Sequence, residues 1–215
     1  MARTIGSNGE ETAARIRGCA LELIASQGFE AMSMRGLAAA VGVQSAALYH
    51  HFATKQALLA DLMMSHMRDL LAARQKACAD DMAGQTATAS HRLDAFARFH
   101  IRYHISRPQE VFIAYMELRS LSPLHYNAVS ELRRDYENLL KAILQDGVED
   151  GSFQIDDIHV TAMAILAMLT GVTTWYRPGG RLSASTVEMQ YVAMVRRVAL
   201  DEIGEPLPVQ KQARQ

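Results

Sequence analysis

Apolar residues recur three and four positions apart along nearly the whole chain, and stretches in which β-branched apolar residues alternate with polar ones are missing. That spacing predicts an all-α fold with no strand. The first predicted helix covers residues 12–27: Ile16, Cys19, Ala20, Leu23 and Ile24 share one face, and Gly28 follows as a left-handed cap. Ser33 is an N-cap for a short helix through Ala40, ended by the Val41-Gly42-Val43 turn. A further short helix begins at Gln44 or Ser45 and stops near Phe52. Thr54 then caps a long helix whose apolar positions, among them Leu58, Leu62, Met63, Met67, Leu70 and Leu71, run on toward Ala83, long enough to join two lobes.

After a polar break at 84–88, helices are expected at 90–105, 108–120, 124–147, 157–175 and 184–202, which makes about nine in all. Pro108, Ser122-Pro123, Gly147 with Gly151, and Pro178-Gly179-Gly180 mark the gaps, since proline lacks the helical donor and glycine tolerates positive φ.

Residues 33–52 combine a capped helix, a tight turn at Gly42 and a second short helix, the arrangement of a helix-turn-helix. Leu37, Ala38, Val41, Val43, Leu48 and Phe52 supply the apolar contacts between the two, leaving the far face of the second helix for the major groove of DNA. Arg35 offers two donors to a guanine edge, Gln44 and Ser45 reach bases from the helix start, and small Ala46 or Ala47 meets a thymine methyl. Tyr49, His50, His51 and Lys55 suit phosphate oxygens, with the backbone donors behind Thr54 beside them. A helical hairpin with a glycine turn also packs this way without touching DNA, so the pattern alone leaves both readings open.

An ordered set of residues narrows the choice. Gly28-Phe29, Leu37-Ala38, Gly42-Val43, Leu48-Tyr49, His51-Phe52, Lys55 and Leu58-Leu59 follow one another so that residues 12–60 resemble the DNA-binding domain of the TetR family of bacterial transcriptional regulators. Position by position, the resemblance implies base contacts at Arg35, Gln44, Ser45, Ala46 and Ala47, and phosphate contacts at Ser33, Tyr49, His50, His51 and Lys55. Two positions depart from the family pattern: Gln44 stands where Ser or Thr usually caps the recognition helix, and Gly36 where a charged residue is common. The implied plan is a flexible lead (1–11), a three-helix DNA-binding domain (12–55), an effector-binding and dimerisation domain (56–203) entered through the helix 55–83, and a flexible tail (204–215).

Composition acts mainly by exclusion. With 215 residues, 49% hydrophobic, 21% charged and a formal net charge of -1, the chain is neither disordered nor polybasic. Residues 1–55 hold five basic side chains (3, 15, 17, 35, 55) against four acidic ones (10, 11, 22, 30). So weak a positive field calls for two copies on DNA, because phosphate neutralisation supplies much of the affinity. Cys19 and Cys78 lie far apart without CxxC spacing, which suggests no disulfide framework or zinc site and a reducing, cytoplasmic compartment. The N-terminus lacks the apolar run of a secretory signal. The most apolar stretch, 160–175, is interrupted by Thr161, Thr170, Gly171, Thr173 and Thr174, and reads as a buried helix or a subunit interface rather than a bilayer span of about 20 residues.

In TetR-like chains the second lobe holds the effector and the last two helices pair between copies, here 157–175 and 184–202. Their apolar stripes give Met163, Leu166, Thr170, Tyr191, Met194, Val195 and Val198 as expected dimer contacts, with a monomer core as the alternative. Between them, WYRPGGRLS (175–183) resembles the junction of TetR regulators that respond to acyl-CoA thioesters. Arg177 and Arg181 suit phosphates, and Trp175, beside Tyr176, suits an adenine or an acyl chain; the same residues also make a well-packed helix end, with Ser183 capping the next. A pocket among helices 90–120 would be lined by His100, Tyr103, His104, Phe112, Tyr115, Met116 and Arg119, apolar walls with polar tips that fit an amphiphile. His100 and His104 stand four apart, yet no Glu or Cys completes a metal set, so a satisfied or surface pair is preferred and no metal or cofactor is expected.

The reading is therefore a homodimeric repressor, not an enzyme and not membrane-bound, that binds a palindromic operator and is released by a small amphiphilic effector of the acyl-CoA class implied by the resemblance. A transcriptional activator built on the same dimer, or a helical lipid- or thioester-binding protein or enzyme without operator control, are the alternatives. No P-loop, GxGxxG or placed Ser-His-Asp set supports the enzyme.

Overall fold

The structure, a computed structural model, describes residues 7–81 and 87–200. Nine α-helices and one short 3₁₀ helix are found among them, and no strand: α1 (Ser7–Gln27), α2 (Met34–Val41), α3 (Ser45–His51), α4 (Lys55–Asp81), α5 (Ala89–Ile105), α6 (Pro108–Met116), the 3₁₀ turn (Leu118–Ser120), α7 (Pro123–Glu149), α8 (Ile158–Trp175) and α9 (Ala184–Leu200).

Local chemistry sets the ends. Ser33 Oγ accepts from the Gly36 amide at 3.0 Å and starts α2. Gly42, at φ 77°, ends it, donating to the carbonyls of Ala38 and Ala39 in a left-handed conformation that a side chain would strain. Thr54 Oγ1 accepts from the Ala57 amide at 2.9 Å, Asp157 caps α8 through Val160, and Ser183 Oγ caps α9 through Thr186 at 3.1 Å.

Two hydrophobic cores form. The first joins Ile16, Ala20 and Ile24 of α1 with Leu37, Ala38 and Val41 of α2, Leu48 of α3 and Leu58, Leu59, Leu62 and Met63 of α4. Ile113 of α6, Leu121, and Val129 of α7 also belong to it. The second packs Met67 and Leu70 of α4 with α5, α7, α8 and α9, among them Phe96, Leu140, Leu144, Ile165, Leu169 and Val195. One helix, α4, therefore passes from one core to the other between Met63 and Met67. Ion pairs fasten the frame: Arg17 to Asp61 (2.6 Å) ties α1 to α4, Glu188 of α9 takes both Arg102 (2.6 Å) and Arg98 of α5, and Arg196 of α9 holds Asp94 of α5. Gly147 leaves room for the Phe153 ring, which a Cβ there would meet at 2.0 Å.

Two boundaries differ from expectation. The first helix begins at Ser7, inside the expected lead, with Glu10 in its first turn, where an acidic side chain complements the exposed amides. The helix expected over 108–120 divides at Glu117, whose carboxylate turns aside to bond Phe29 and Ser120. Helix α8, at 18 residues, is by length and composition apolar enough to cross a bilayer, although it packs against α5, α6, α7 and α9. Residues 1–6, 82–86 and 201–215, and with them most of the expected lead and the whole expected tail, lie outside the described residues.

Candidate nucleic-acid interface and effector cavity

Leu48, fully buried, fixes which face of α3 is turned out. Ser45, Ala46, Tyr49 (50% exposed) and His50 lie on the outer face, Arg35 and Gln44 are also exposed, and Ala47 and His51 are half-buried. All ten residues singled out for DNA thus cluster at one end, though two, Ser33 and Lys55, are engaged internally. Ser33 is occupied as the cap of α2. Gln44 occupies the N-cap of α3 without a side-chain bond. Lys55 donates to the Glu30 carbonyl at 3.1 Å and sits over the Phe29 ring at 4.2 Å, which leaves it two further N–H donors.

In the second lobe a cavity of about 900 Å³ opens between α1, α6 and the C-terminal half of α8, lined by Ala25, Ile105, Phe112, Tyr115, Met116, Ala167, Gly171, Tyr176 and Arg177 among others. Of the expected pocket residues, Phe112, Tyr115, Met116, Tyr176 and Arg177 are brought together here. Tyr103 borders a separate depression between α4 and α5, and Arg119 is exposed on the 3₁₀ turn. Trp175 stacks on Tyr191 and donates Nε1–H to its hydroxyl at 3.2 Å, on the outer side of α8 and α9. What the sequence reading missed is the floor. Ala25, Ala167 and Gly171 contribute by being small, and a Cβ on Gly171 would meet nothing within 4 Å.

His100 and His104 do not line that cavity; both are buried, their rings stacked 3.7 Å apart. His100 Nδ1 meets the Tyr136 hydroxyl and Nε2 meets Thr170 Oγ1, each at 3.1 Å, and Thr170 Oγ1 meets the Tyr115 hydroxyl at 3.0 Å. Each of these contacts joins two groups that can both donate and accept, which links Tyr136, His100, Thr170 and Tyr115 in one neutral chain. Tyr115 also lines the cavity, so its hydroxyl stands between that chain and whatever the cavity holds. Burial holds all three core histidines neutral: His66 on α4 is lowered to about 4, with Arg107 and Arg133 adding to the effect, His104 to about 3, and His100 well below its ordinary value. Burial likewise pushes the Tyr136 phenol far up. Among the described residues no three His, Cys, Asp or Glu side chains are grouped to hold a metal.

Helix α6 connects the two sites. One of its faces carries Phe112, Tyr115 and Met116 into the cavity, while Ile113 is buried in the first core. At its end Glu117 Oε1 accepts from the Phe29 amide at 3.0 Å, beside the ring on which Lys55 rests. Next to it, Gln56 of α4 donates to the Ser120 carbonyl (2.7 Å) and accepts from the Ser122 amide (2.9 Å).

Thr170 and Val195 are spent inside the protomer, on the hydrogen-bond chain and the second core, and Leu166 is buried too; they correct the expected dimer stripe. The outward apolar positions are instead Val160 (60% exposed), Ala164, Trp175, Met189 (61%) and Val198, with Met163, Tyr191 and Met194 half-buried between. The shift follows from the edge of each helix that the second core claims: a stripe read from spacing alone does not say which edge faces inward.

Comparison with known proteins agrees with this geometry. Residues 16–62 match the model of the bacterial regulatory proteins of the tetR family, and residues 86–199 that of the tetracyclin repressor-like C-terminal domain. The chain is 28% identical over 207 residues to the HTH-type transcriptional repressor KstR2 of Rhodococcus jostii (strain RHA1), covering 94% of this chain and 95% of the repressor. A bacterial regulatory protein in the tetR family from Rhodococcus RHA1 superposes with a TM-score of 0.80 at 28% identity, over 88% of this chain and 97% of that one. The regulator AibR, solved with isovaleryl coenzyme A and operator DNA, superposes with a TM-score of 0.76 at 26% identity, over 86% and 97%. With both lobes matched, the chain belongs to the TetR family of bacterial transcriptional regulators.

Proposed function

We propose that the chain is a cytoplasmic, homodimeric repressor whose two copies of α3 enter successive major grooves of a palindromic operator, and that an acyl-CoA thioester in the 900 Å³ cavity releases it. The observation that carries this reading is α6, one helix whose cavity face and Glu117 latch serve both sites. An effector that wedges Phe112 and Tyr115 moves Glu117, and with it Phe29, Lys55 and the start of α4. Release then requires only that the effector prefer the displaced arrangement.

Several features favour a thioester. The cavity walls are mainly apolar and suit an acyl chain, the Tyr115 hydroxyl suits a thioester carbonyl, and Arg177 in the wall with Arg181 in the adjoining depression suits the phosphates of the nucleotide. The isovaleryl coenzyme A held by AibR supports the same class. Arg35, Gln44, Ser45, Ala46 and Ala47 are the proposed base-reading residues, with Tyr49, His50, His51 and the remaining donors of Lys55 on phosphate. The outward apolar strip on α8 and α9 pairs the copies and places the two reading heads roughly 34–36 Å apart, one helical turn. In this role the chain needs no metal or cofactor and turns over no substrate.

The test is a gel shift with DNA from upstream of the protein's own gene, titrated with acyl-CoA thioesters from two to sixteen carbons. The reading predicts a retained complex that at least one chain length dissolves. Retention unchanged across all of them removes the thioester, and no complex at any protein concentration removes the repressor.

A further inference from the structure

A second, smaller cavity of about 210 Å³ adjoins the first, and Tyr115 and Ala167 line both. Its other walls are polar in an unusual way: His66 of α4, His104 of α5, and Arg133 and Glu137 of α7, closed by Met67, Leu70 and Met163. His66 is buried and its Nδ1 has no hydrogen-bond partner, a costly condition for a group so far from water. His104 spends Nδ1–H on the His100 carbonyl at 2.8 Å, which fixes its tautomer and leaves Nε2 as a bare acceptor. The two rings face edge to face, with centroids 6.2 Å apart. Arg133 is parked, its guanidinium stacked 4.5 Å from the Tyr115 ring and donating to the Ala114 carbonyl at 3.3 Å.

We infer that this chamber selects the effector by its far end: it takes an uncharged hydroxyl carried at the tip of the chain that fills the larger cavity. A hydroxyl both donates and accepts. It can donate to His104 Nε2 and meet the ring of His66, whose neutral imidazole can either donate or accept where it borders the chamber, whereas a methyl terminus would answer neither. A carboxylate fits less well, because the two histidines add no positive charge and the charge of Arg133, already engaged with the Tyr115 ring and the Ala114 carbonyl, is offset by Glu137. The inference rests on the effector reading above only for the position of the chain, since a hydroxylated amphiphile of any head group would meet the same walls. Contact at His66 would also bear directly on α4, the helix that runs to the reading head.

Calorimetric titration of the purified dimer with matched ligands tests it. Saturated acyl-CoA thioesters of six to twelve carbons are compared with their terminally hydroxylated and terminally carboxylated counterparts, and the corresponding methyl esters are run in parallel. At the chain length that reaches the chamber, the hydroxyl is expected to tighten binding roughly fivefold, the scale of one neutral hydrogen bond, and the carboxylate not to. In His66→Leu, checked for folding by its melting curve, that gain disappears, so that hydroxylated and saturated ligands of the same length bind alike. No gain from the hydroxyl at any length in the wild type overturns the inference without recourse to a variant; so does a preference for the carboxylate, or a gain that survives in His66→Leu. Should methyl esters show the gain while no thioester binds, the chamber stands and the thioester reading falls. Should thioesters release DNA without a hydroxyl preference, the reverse holds.

Discussion

His66, His100 and His104 sit within two adjoining helices of the second lobe, and all three are kept neutral by burial. Unfolding frees them to protonate near pH 6.5, whereas in the fold His66 and His104 resist down to about 4 and about 3. Between those limits the unfolded chain binds more protons, so stability is whole above about pH 6.5 and declines as pH falls, by up to about 1.4 kcal/mol per pH unit for each histidine. Urea unfolding measured at pH 7.5, 6.5 and 5.5 should show that decline, and His104→Gln should flatten it. An equal slope in the variant would mean that other groups carry the acid sensitivity. The spacing of His100 and His104 was legible in the sequence as a pair on one helix. His66 was not, because it comes from α4, and only tertiary packing brings it beside the other two.

At the scale of the element, helix ends were the most readable feature, since caps and left-handed glycines are local chemistry: Ser33, Gly42, Thr54 and Ser183 act where their side chains or backbones predict. Gln44 is the informative exception. It sits at the N-cap of α3 in extended conformation, φ -71° and ψ 146°, with no bond from its side chain. Gln44→Ser adds the missing acceptor and should stabilise the protein by about 0.5–1 kcal/mol; denaturant midpoints at unchanged slope would measure it. No gain would mean that the α3 amides are already satisfied by water. The cavities were not legible, since they depend on what small residues leave empty. Ala167 and Gly171 look in the sequence like ordinary helix positions, and only the approach of α6 to α8 makes them a floor. The dimer stripe was half legible for a related reason: spacing identified two apolar helices, but the second core claims Leu166 and Val195 from them.

Across the whole molecule, the proposed mechanism joins an apolar strip on α8 and α9, the cavity between α6 and α8, and the helix-turn-helix at the start of α4. Only 28% of α8 is buried within a single protomer, so the strip asks for a second copy. Val160→Glu with Met189→Glu should shift the protein to monomer in sedimentation and weaken operator binding by more than about tenfold, because each half-site contributes its own phosphate contacts. A charged pair that stays dimeric would move the interface elsewhere. The central claim is that α6 carries the effector's signal through Glu117, and operator affinity with and without a saturating effector tests it most directly when read side by side in wild type and Glu117→Ala. The account predicts that the effector weakens the wild-type complex by tenfold or more, while the variant binds operator and effector separately almost as before and its operator affinity scarcely responds to the effector. If Glu117→Ala folds, binds both and still releases DNA as fully as the wild type, the latch to Phe29 is not the link between the two sites.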